Sequence, residues 1–372
     1  MNENDILGFD PSQLSVFAPQ EPKSGNGGNP LIYHTRPADS KSEDGVYRST
    51  IKVIYSPQDM KHSILEQQSY AMTDKDGFFS VVSSLTNNDT SCPIFKAWKK
   101  CHFTKKEENP VLYNQAETKD KGGKGLFDKR YARYVTIQVL SDKNQPELEG
   151  KYMFFKLPKS IWDIINAKMN PAKESGKSPI PVMDFLFGRA IDLEVKPGPG
   201  NKGDVSYTRE TAYLAELSED VVSCTNPDGS SLLNDAEQDV LDKYVDAMKR
   251  VWKEKDPTTR ANLLAAVNAD PNTAQLRQIY AKVLETIKGF CPDLNAELGY
   301  KPWDEATTRR VQAWIDVVLS GNDPAAGANV PEAAATVGTT TETKTAMPQA
   351  TTNANPFETS TATAEEVSDL PF

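Results

Sequence analysis

The stretch DKRYARYVTIQVL, residues 128–140, decides the fold class, because its second half alternates strictly between apolar and other side chains. Val135, Ile137 and Val139 share one face of an extended chain, and Tyr134 heads the set on the other face. A period of two is typical of a β-strand that buries one face. We therefore predict a strand with its apolar face in the core and with Tyr134 turned outward.

Five further segments have the same short, β-branched and aromatic character. They are VYRSTIKVIYS, FFSVVS, KYMFFKL, AIDLEVK and VSYTRETAYL. Asn-Asn-Asp and Pro-Gly-Pro-Gly sequences between them suit turns. One helix interrupts the series in KSIWDIINAKM, where Ile161, Ile165 and Met169 recur at helical spacing and Ser160 is a candidate N-cap. Five or six short strands with one helix predict a β-rich OB-type barrel, closed or partly open.

After about Leu217 the apolar residues recur every three to four positions instead of every two, which predicts a helical region. Asp256 followed by Pro257 marks one helix start, and Gly321 ends the last helix. The predicted helices lie in NDAEQDVLDKYVDAMKRVWKE, DPTTRANLLAAV, TAQLRQIYAKVLETIKGF and DEATTRRVQAWIDVVLSG. Their apolar stripes are expected to be core.

Composition divides the 372-residue chain into four parts. Residues 1–30 are predicted to be a flexible acidic arm, residues 31–216 an OB-fold-like core, and residues 217–321 a helical region. Residues 322–372 are predicted to be a disordered acidic tail that ends in SDLPF. We find no basic start followed by an apolar run and no apolar stretch of spanning length, so we expect an unexported protein without a membrane partner.

The net charge of -10 conceals a polarised distribution. Residues 94–203 carry 21 Lys and Arg against 13 Asp and Glu, a net of +8, whereas residues 322–372 carry one Lys against seven acids, a net of -6. The total charge alone argues against an anionic partner such as nucleic acid. The basic middle between the acidic ends is nevertheless compatible with one.

The sequence offers little for catalysis, and we expect no enzyme. Its three histidines do not fall in a recognised nucleophile, metalloprotease or phosphate-loop spacing. Cys92, Cys101 and His102 lie close together, but the pattern Cys-x8-Cys-His lacks the short paired hook of zinc motifs. We therefore predict no bound metal or other cofactor, and the four cysteines are expected to be free thiols.

Aromatic and basic residues recur together inside the basic middle. A ring stacked on a nucleobase is worth about 1–3 kcal/mol, while Lys and Arg neutralise phosphates. Together they predict a platform for an unpaired nucleic-acid strand; the alternative for any one residue is that its ring belongs to the core or its charge to a solvated rim. The predicted platform residues are Trp98, Lys99, Lys100, Tyr113, Lys129, Arg130, Tyr131, Arg133, Tyr134, Phe155, Lys156, Lys159 and Tyr207.

The segment KRYARYVTIQVLSDKNQPELEGKYMFFKLPKSIWDIINAK resembles the core of the T-even-type phage helix-destabilising proteins, the single-stranded DNA-binding proteins of phage replication. The matching pieces are KR-x3-Y, the acidic P-E-x-E-G-K turn and K-x-IWD-x-IN-A, with SCPIFK, VLYN and GDVSYTRETAYL as weaker flanks. The resemblance covers about residues 45–215. It implies an OB-type barrel with a basic cleft, in which Tyr113, Tyr134, Phe155 and Tyr207 contact DNA and Phe155 replaces a usual tyrosine.

Two departures from the family pattern have consequences. The resemblance implies a structural zinc held by one His and three Cys, of which Cys92 is present, while Phe95 stands at the last Cys position and Gln68 and Ser83 lie near the other two. It therefore implies that the zinc site is lost and replaced by apolar packing around Phe95. The family's N-terminal arm is basic and mediates cooperative contacts on DNA, whereas the arm here is acidic.

The resemblance and the residues together predict a non-catalytic protein of the infected bacterial cytoplasm. It would coat single-stranded DNA, protect it and keep it unpaired during phage replication, recombination and repair, with possible self-association on the strand. The tail tip, Asp369, Leu370, Pro371 and Phe372, is predicted to recruit a polymerase, primase or helicase loader. The alternatives are a virion structural or assembly protein and, more remotely, a nuclease.

Overall fold

A computed structural model describes residues 29–35, 39–117, 119, 122–172, 175–196 and 212–326. The predicted N-terminal arm and acidic tail lie almost entirely outside these residues. The strands are β1 (Ile32–Tyr33), β2 (Tyr47–Ile54), β3 (Ile64–Asp74), β4 (Gly77–Val82), β5 (Asp128–Ser141), β6 (Tyr152–Lys156), β7 (Arg189–Lys196) and β8 (Ala212–Val221). The helices are α1 (Pro93–His102), α2 (Pro110–Ala116), α3 (Lys159–Met169), α4 (Asp235–Lys253), α5 (Pro257–Ala269), α6 (Pro271–Phe290), α7 (Leu294–Leu298) and α8 (Glu305–Leu319).

Strand β5 organises the sheet, because three other strands pair with it. Along one edge its first half pairs antiparallel with β3 and its second half with β2, while β6 pairs along the other edge. Strands β7 and β8 continue the sheet beyond β2, and β1 lies parallel to β6. In the described residues the path β1-β6-β5-β2-β7-β8 is open. The β-rich core is confirmed, and barrel closure is not part of the pairing observed.

Local sequence signals account for most of these elements. Helix α4 begins with a capping box between Asn234 and Glu237, and α5 begins at Pro257 behind the N-cap Asp256, as predicted. Helix α3 is also confirmed, but its predicted cap is wrong: Pro158 is the N-cap, and Ser160 already lies in the first turn. Strands β1 and β3 and helices α1, α2 and α7 were not predicted from the sequence.

Two large apolar clusters hold the molecule together. The first lies between the sheet and helices α3 to α6, and it joins residues such as Ile137 of β5 and Tyr244 of α4. The second joins β3, β4, α1 and α8, with Met72, Ile94 and Trp314 at its centre. The predicted helical region therefore packs directly on the strands. None of the helices in the described residues is both long and apolar enough to cross a membrane.

Candidate nucleic-acid interface

The first half of β5 is exposed on both of its faces, so it can hold several charged and aromatic residues. Residues 135–139 are buried on both faces of the strand, whereas residues 128–134 are exposed or half-buried. Sequence reasoning expected one open face throughout; this is wrong for Thr136 and Gln138, which are 0% exposed. Since successive side chains alternate, the predicted residues of β5 divide between two opposite surfaces.

One face of β5 presents Lys129, Tyr131 and Arg133. The Lys129 ammonium lies 4.7 Å from the centre of the Tyr131 ring and 5.9 Å from the centre of the Phe95 ring on α1. The basic strand and helix α1 thus meet at a lysine held between two rings. Such cation–π contacts orient the lysine without neutralising it.

Helix α1 continues this surface with a stack of rings. Phe95 and Trp98 lie 5.8 Å apart and Trp98 and His102 lie 4.7 Å apart between ring centres, each pair only 13° from parallel. Their spacing places them on one helical stripe, while Ile94, Ala97 and Cys101 form the buried stripe. Beyond them Phe103 is 71% exposed. The Lys99 ammonium lies 4.8 Å from the centre of the Phe95 ring.

The far end of the same face is closed by helix α3. The Arg133 guanidinium lies 5.4 Å from the centre of the Trp162 ring and donates from Nε to a Glu66 carboxylate oxygen at 3.0 Å. Lys159, at the start of α3, is exposed and pairs with Asp163 at 2.8 Å. We call the following set the aromatic–basic surface. Its members are Phe95, Trp98, Lys99, His102, Lys129, Tyr131, Arg133 and Trp162.

The other face of β5 carries a smaller group, which we call the opposite surface: Phe78, Arg130 and Lys156. The Arg130 guanidinium lies 5.7 Å from the centre of the exposed Phe78 ring and pairs with Asp128 at 2.8 Å. Lys156 is exposed as a residue. Desolvation of its ammonium nevertheless lowers the pKa of Lys156, and the positive charge of Arg130 lowers it further.

Tyr134 points to the same side as Arg130 but packs on a third, smaller cluster with Phe154 and the α7 residue Leu298. Burial of the phenol raises the pKa of Tyr134. Tyr134 is half-buried, so its ring is less open than expected, and its role as a DNA contact stays a prediction. Helix α7 packs on it, and α7 was not predicted from the sequence.

The remaining predicted residues are scattered. Phe155 is only 2% exposed, because the register pairs it with Val135 and turns its ring toward Tyr33, 6.2 Å away between ring centres. This corrects its prediction as a DNA contact. Tyr113 is half-buried on α2, and Lys100 is exposed on α1. Tyr207 and the tail residues 369–372 lie outside the described residues.

Sequence reasoning missed four aromatic side chains of this region: Phe95, His102, Phe103 and Trp162. Phe95 was assigned to apolar packing at a position where the resemblance implies a zinc ligand, and Trp162 was not among the predicted platform residues. The signal that would have found the first two is the spacing 95, 98, 102, which brings three rings onto one stripe once α1 is recognised as a helix.

The four positions at which the resemblance implied zinc ligands do not fit a zinc ion. The structure does bring three of them together: the Ser83 hydroxyl donates to the Cys92 sulfur at 3.2 Å, and the Ser83 amide donates to the Gln68 carbonyl at 2.7 Å. They offer one thiol, one hydroxyl and one amide, while Phe95 offers no ligand at all. In the described part of the chain, no cluster of three His, Cys, Asp or Glu suits a metal.

A β-rich core with an exposed aromatic and basic surface defines the class of proteins that hold single-stranded nucleic acid by stacking and phosphate contacts. The family described as gp32 DNA binding protein like matches residues 51–259, more than half of the 372 residues, and the chain belongs to this family. The match runs from β2 into the first turn of α5, so it contains both surfaces and excludes α6 to α8.

Two curated relatives are named Single-stranded DNA-binding protein. The relative from Enterobacteria phage T2 is 30% identical over 150 residues, which cover 38% of this chain and 45% of the relative. The relative from Enterobacteria phage T4 is 29% identical over 174 residues, which cover 42% of this chain and 54% of the relative. The chain thus spans about half the length of the curated relatives it matches.

Proposed function

We propose that the protein binds single-stranded DNA without catalysis, and that the strand lies along the aromatic–basic surface. The observation that carries this proposal is a series of ring and cation contacts from His102 on α1 through Phe95 and Lys129 to Tyr131, which the Arg133–Trp162 contact continues on the same face of β5. Rings at this density supply π-faces for bases, and the cations beside them supply charge for phosphates.

The charges of this surface suit phosphate binding because two of them are not already used. Among the residues that the structure describes, no ion pair engages Lys99 or Lys129; each lies over rings instead. Arg133 is shared with Glu66, so it contributes less free charge. We place the binding site on this surface rather than on the opposite surface, where Arg130 is paired with Asp128.

The wider role follows from the family and the composition. We propose that the protein coats and protects unpaired DNA during phage replication, recombination and repair, in the cytoplasm of the infected host. Residues 31–216 would form the OB-type DNA-binding core, and residues 217–321 the helical region packed on it. The antiparallel pairing of β5 on both of its edges supports the β-rich part of this proposal.

The acidic tail gives the proposal a second element. Its net charge of -6 is opposite in sign to the +8 of residues 94–203, so the tail is proposed to compete with DNA and to recruit replication proteins through Asp369–Phe372. Deleting residues 345–372 should raise the affinity for DNA and abolish partner binding. Fluorescence anisotropy with labelled oligonucleotide and with a candidate partner measures both, and two unchanged values would remove this element.

Quenching of tryptophan and tyrosine emission by a short oligo-dT tests the central proposal. The two unpaired surface cations, Lys99 and Lys129, would neutralise about two phosphates. With a slope of about -0.7 per phosphate for single strands, affinity should fall about 7-fold between 50 and 200 mM salt. An affinity that is the same at both salt concentrations, or an absence of quenching by oligo-dT, would exclude the proposed function.

A further inference from the structure

The aromatic–basic surface depends on where α1 is held, and α1 belongs to a small lobe of the molecule. We define the α1 lobe as the end of β3, β4, α1 and α2. Its apolar interior is shared with α8, whose buried residues Val311, Trp314, Ile315 and Val318 form one cluster with Ile94, Ala97 and Cys101 of α1. We propose that α8 and the preceding Trp303 hold the α1 lobe in the way that a structural metal ion would, and that the lobe needs no metal.

The first observation that supports this proposal is the chemistry of the four positions at which the resemblance implied zinc ligands. A structural zinc site is closed by four Cys or His ligands, whereas these positions supply a single thiol. Cys92 is buried and accepts a hydrogen bond from the Ser83 hydroxyl at 3.2 Å. Phe95, at the fourth position, packs its ring against Trp98 instead. The lobe must therefore be fixed by other contacts.

Arg310 of α8 supplies the strongest of these contacts. Its Nε and Nη2 atoms donate to the two carboxylate oxygens of Asp74 at 2.7 and 2.9 Å, and Nη2 also donates to the Gly77 carbonyl at 3.3 Å. The same guanidinium lies 4.1 Å from the centre of the Phe79 ring. One side chain thus fixes the end of β3, the turn and the start of β4. The hydrogen bonds from Arg310 are the main reason that the pKa of Asp74 is lowered.

Two tryptophans tie the same hairpin at other points. The Trp303 indole donates to the Val82 carbonyl at 2.8 Å, and the Trp314 indole donates to the Thr73 carbonyl at 3.0 Å. Trp314 is buried and meets the edge of the Phe127 ring at 5.2 Å between ring centres. Both bonds join residues more than 200 positions apart, so they close a long loop of chain across the lobe.

The segment from Trp303 to Leu319 lies outside residues 51–259, to which the family match extends. The lobe that carries Trp98 is therefore supported by a helix that does not belong to the matched region. Because α1 contributes the stacked rings, α8 would act on DNA binding only by positioning α1. This last consequence rests on the proposed function, whereas the structural role of α8 does not.

Hydrogen exchange followed by mass spectrometry on the full chain tests the proposal. Arg310→Gln should raise the exchange rate of amides in β4 and α1 about tenfold or more, while amides of β7 stay unchanged, because a partly buried ion pair loses one partner. Arg309→Gln is the matched control: it makes the same charge change one residue away, where the side chain is exposed. Trp303→Phe removes the indole hydrogen bond and part of a ring that packs on the same apolar cluster, and it should raise exchange in β4 with the fold intact.

Adding EDTA to the wild-type chain should leave exchange in β4 and α1 unchanged. Stoichiometric zinc in the purified chain together with faster exchange after EDTA would overturn the proposal. So would equal exchange in the Arg310→Gln and Arg309→Gln variants. If the wild type does not bind oligo-dT at all, the proposed function fails, but the exchange results still decide the role of α8.

Discussion

Replacing Tyr131 by Ala removes the ring at the centre of the aromatic–basic surface and should weaken binding of oligo-dT. Loss of one stacked base is worth about 1–3 kcal/mol. Tyr131 also orients the Lys129 ammonium, 4.7 Å from the ring centre, without neutralising it. The expected loss is therefore that of one stacked base, about 5- to 150-fold in Kd.

Two variants control this experiment. Tyr131→Phe keeps the ring and should bind within about twofold of the wild type, because stacking does not need the phenol. Phe78→Ala removes a ring that is 44% exposed on the opposite surface and should also leave Kd within about twofold. Thermal unfolding of each variant confirms that binding is compared between folded proteins.

The assay is fluorescence anisotropy with labelled oligo-dT at one fixed salt concentration. The reasoning is refuted if Phe78→Ala loses affinity while Tyr131→Ala retains it, since the strand would then lie on the opposite surface. It is equally refuted if Tyr131→Ala lowers the unfolding temperature but leaves Kd unchanged. In that case the ring serves packing only, as a structural or assembly protein would require.

Three further outcomes are expected. Lys129→Gln should reduce the slope of log affinity against log salt by about 0.7, measured by the same titration, since one phosphate contact is lost; an unchanged slope would place Lys129 away from the strand. Phe155→Ala should lower the free energy of unfolding in urea by about 3–5 kcal/mol, and the folded fraction should keep its affinity; a loss of affinity without a loss of stability would return Phe155 to the binding site. Arg310→Gln should cost about 1–3 kcal/mol at pH 7, below the value for fully buried pairs because the Arg310 side chain is 35% exposed. The difference in stability between this variant and the wild type should shrink at pH 3. Because the pKa of Asp74 is lowered in the folded protein, the ion pair stabilises the fold above the ordinary aspartate pKa, and this stabilisation is lost as the pH falls through the native pKa. A difference in stability that is the same at both pH values would contradict the ion pair.

Local signals made much of the fold predictable. The cap of α5 and the alternation in residues 135–139 are read from neighbouring residues, and they are confirmed as a helix start and a strand. Strand β3 was missed because residues 66–69 are polar and half-buried, so they show no alternation. Polar side chains are tolerated at residues 66–69 because these residues pair with the exposed first half of β5.

The site was harder to predict than the elements that carry it. Lys99, Lys129 and Tyr131 were predicted from composition, because rings and cations are conspicuous in a basic segment, and the structure places all three on the aromatic–basic surface. Phe155 was misplaced, because the face that a strand residue occupies depends on the register with its partner, and register is set by contacts distant in sequence. Tyr134 is less exposed than predicted for a related reason: α7, which packs on it, lies more than 150 positions away along the chain.

The length of β5 explains why one strand serves both the core and the surface. The strand has 14 residues, and the buried part spans only residues 135–139. Its first half extends beyond the main core and is supported there by β3 and the α1 lobe. A strand that projects in this way has two usable faces, so adjacent residues such as Arg130 and Tyr131 can serve different surfaces. If DNA binds along the aromatic–basic surface alone, Arg130→Gln and Tyr131→Ala should therefore differ in their effect on Kd although the two residues are neighbours.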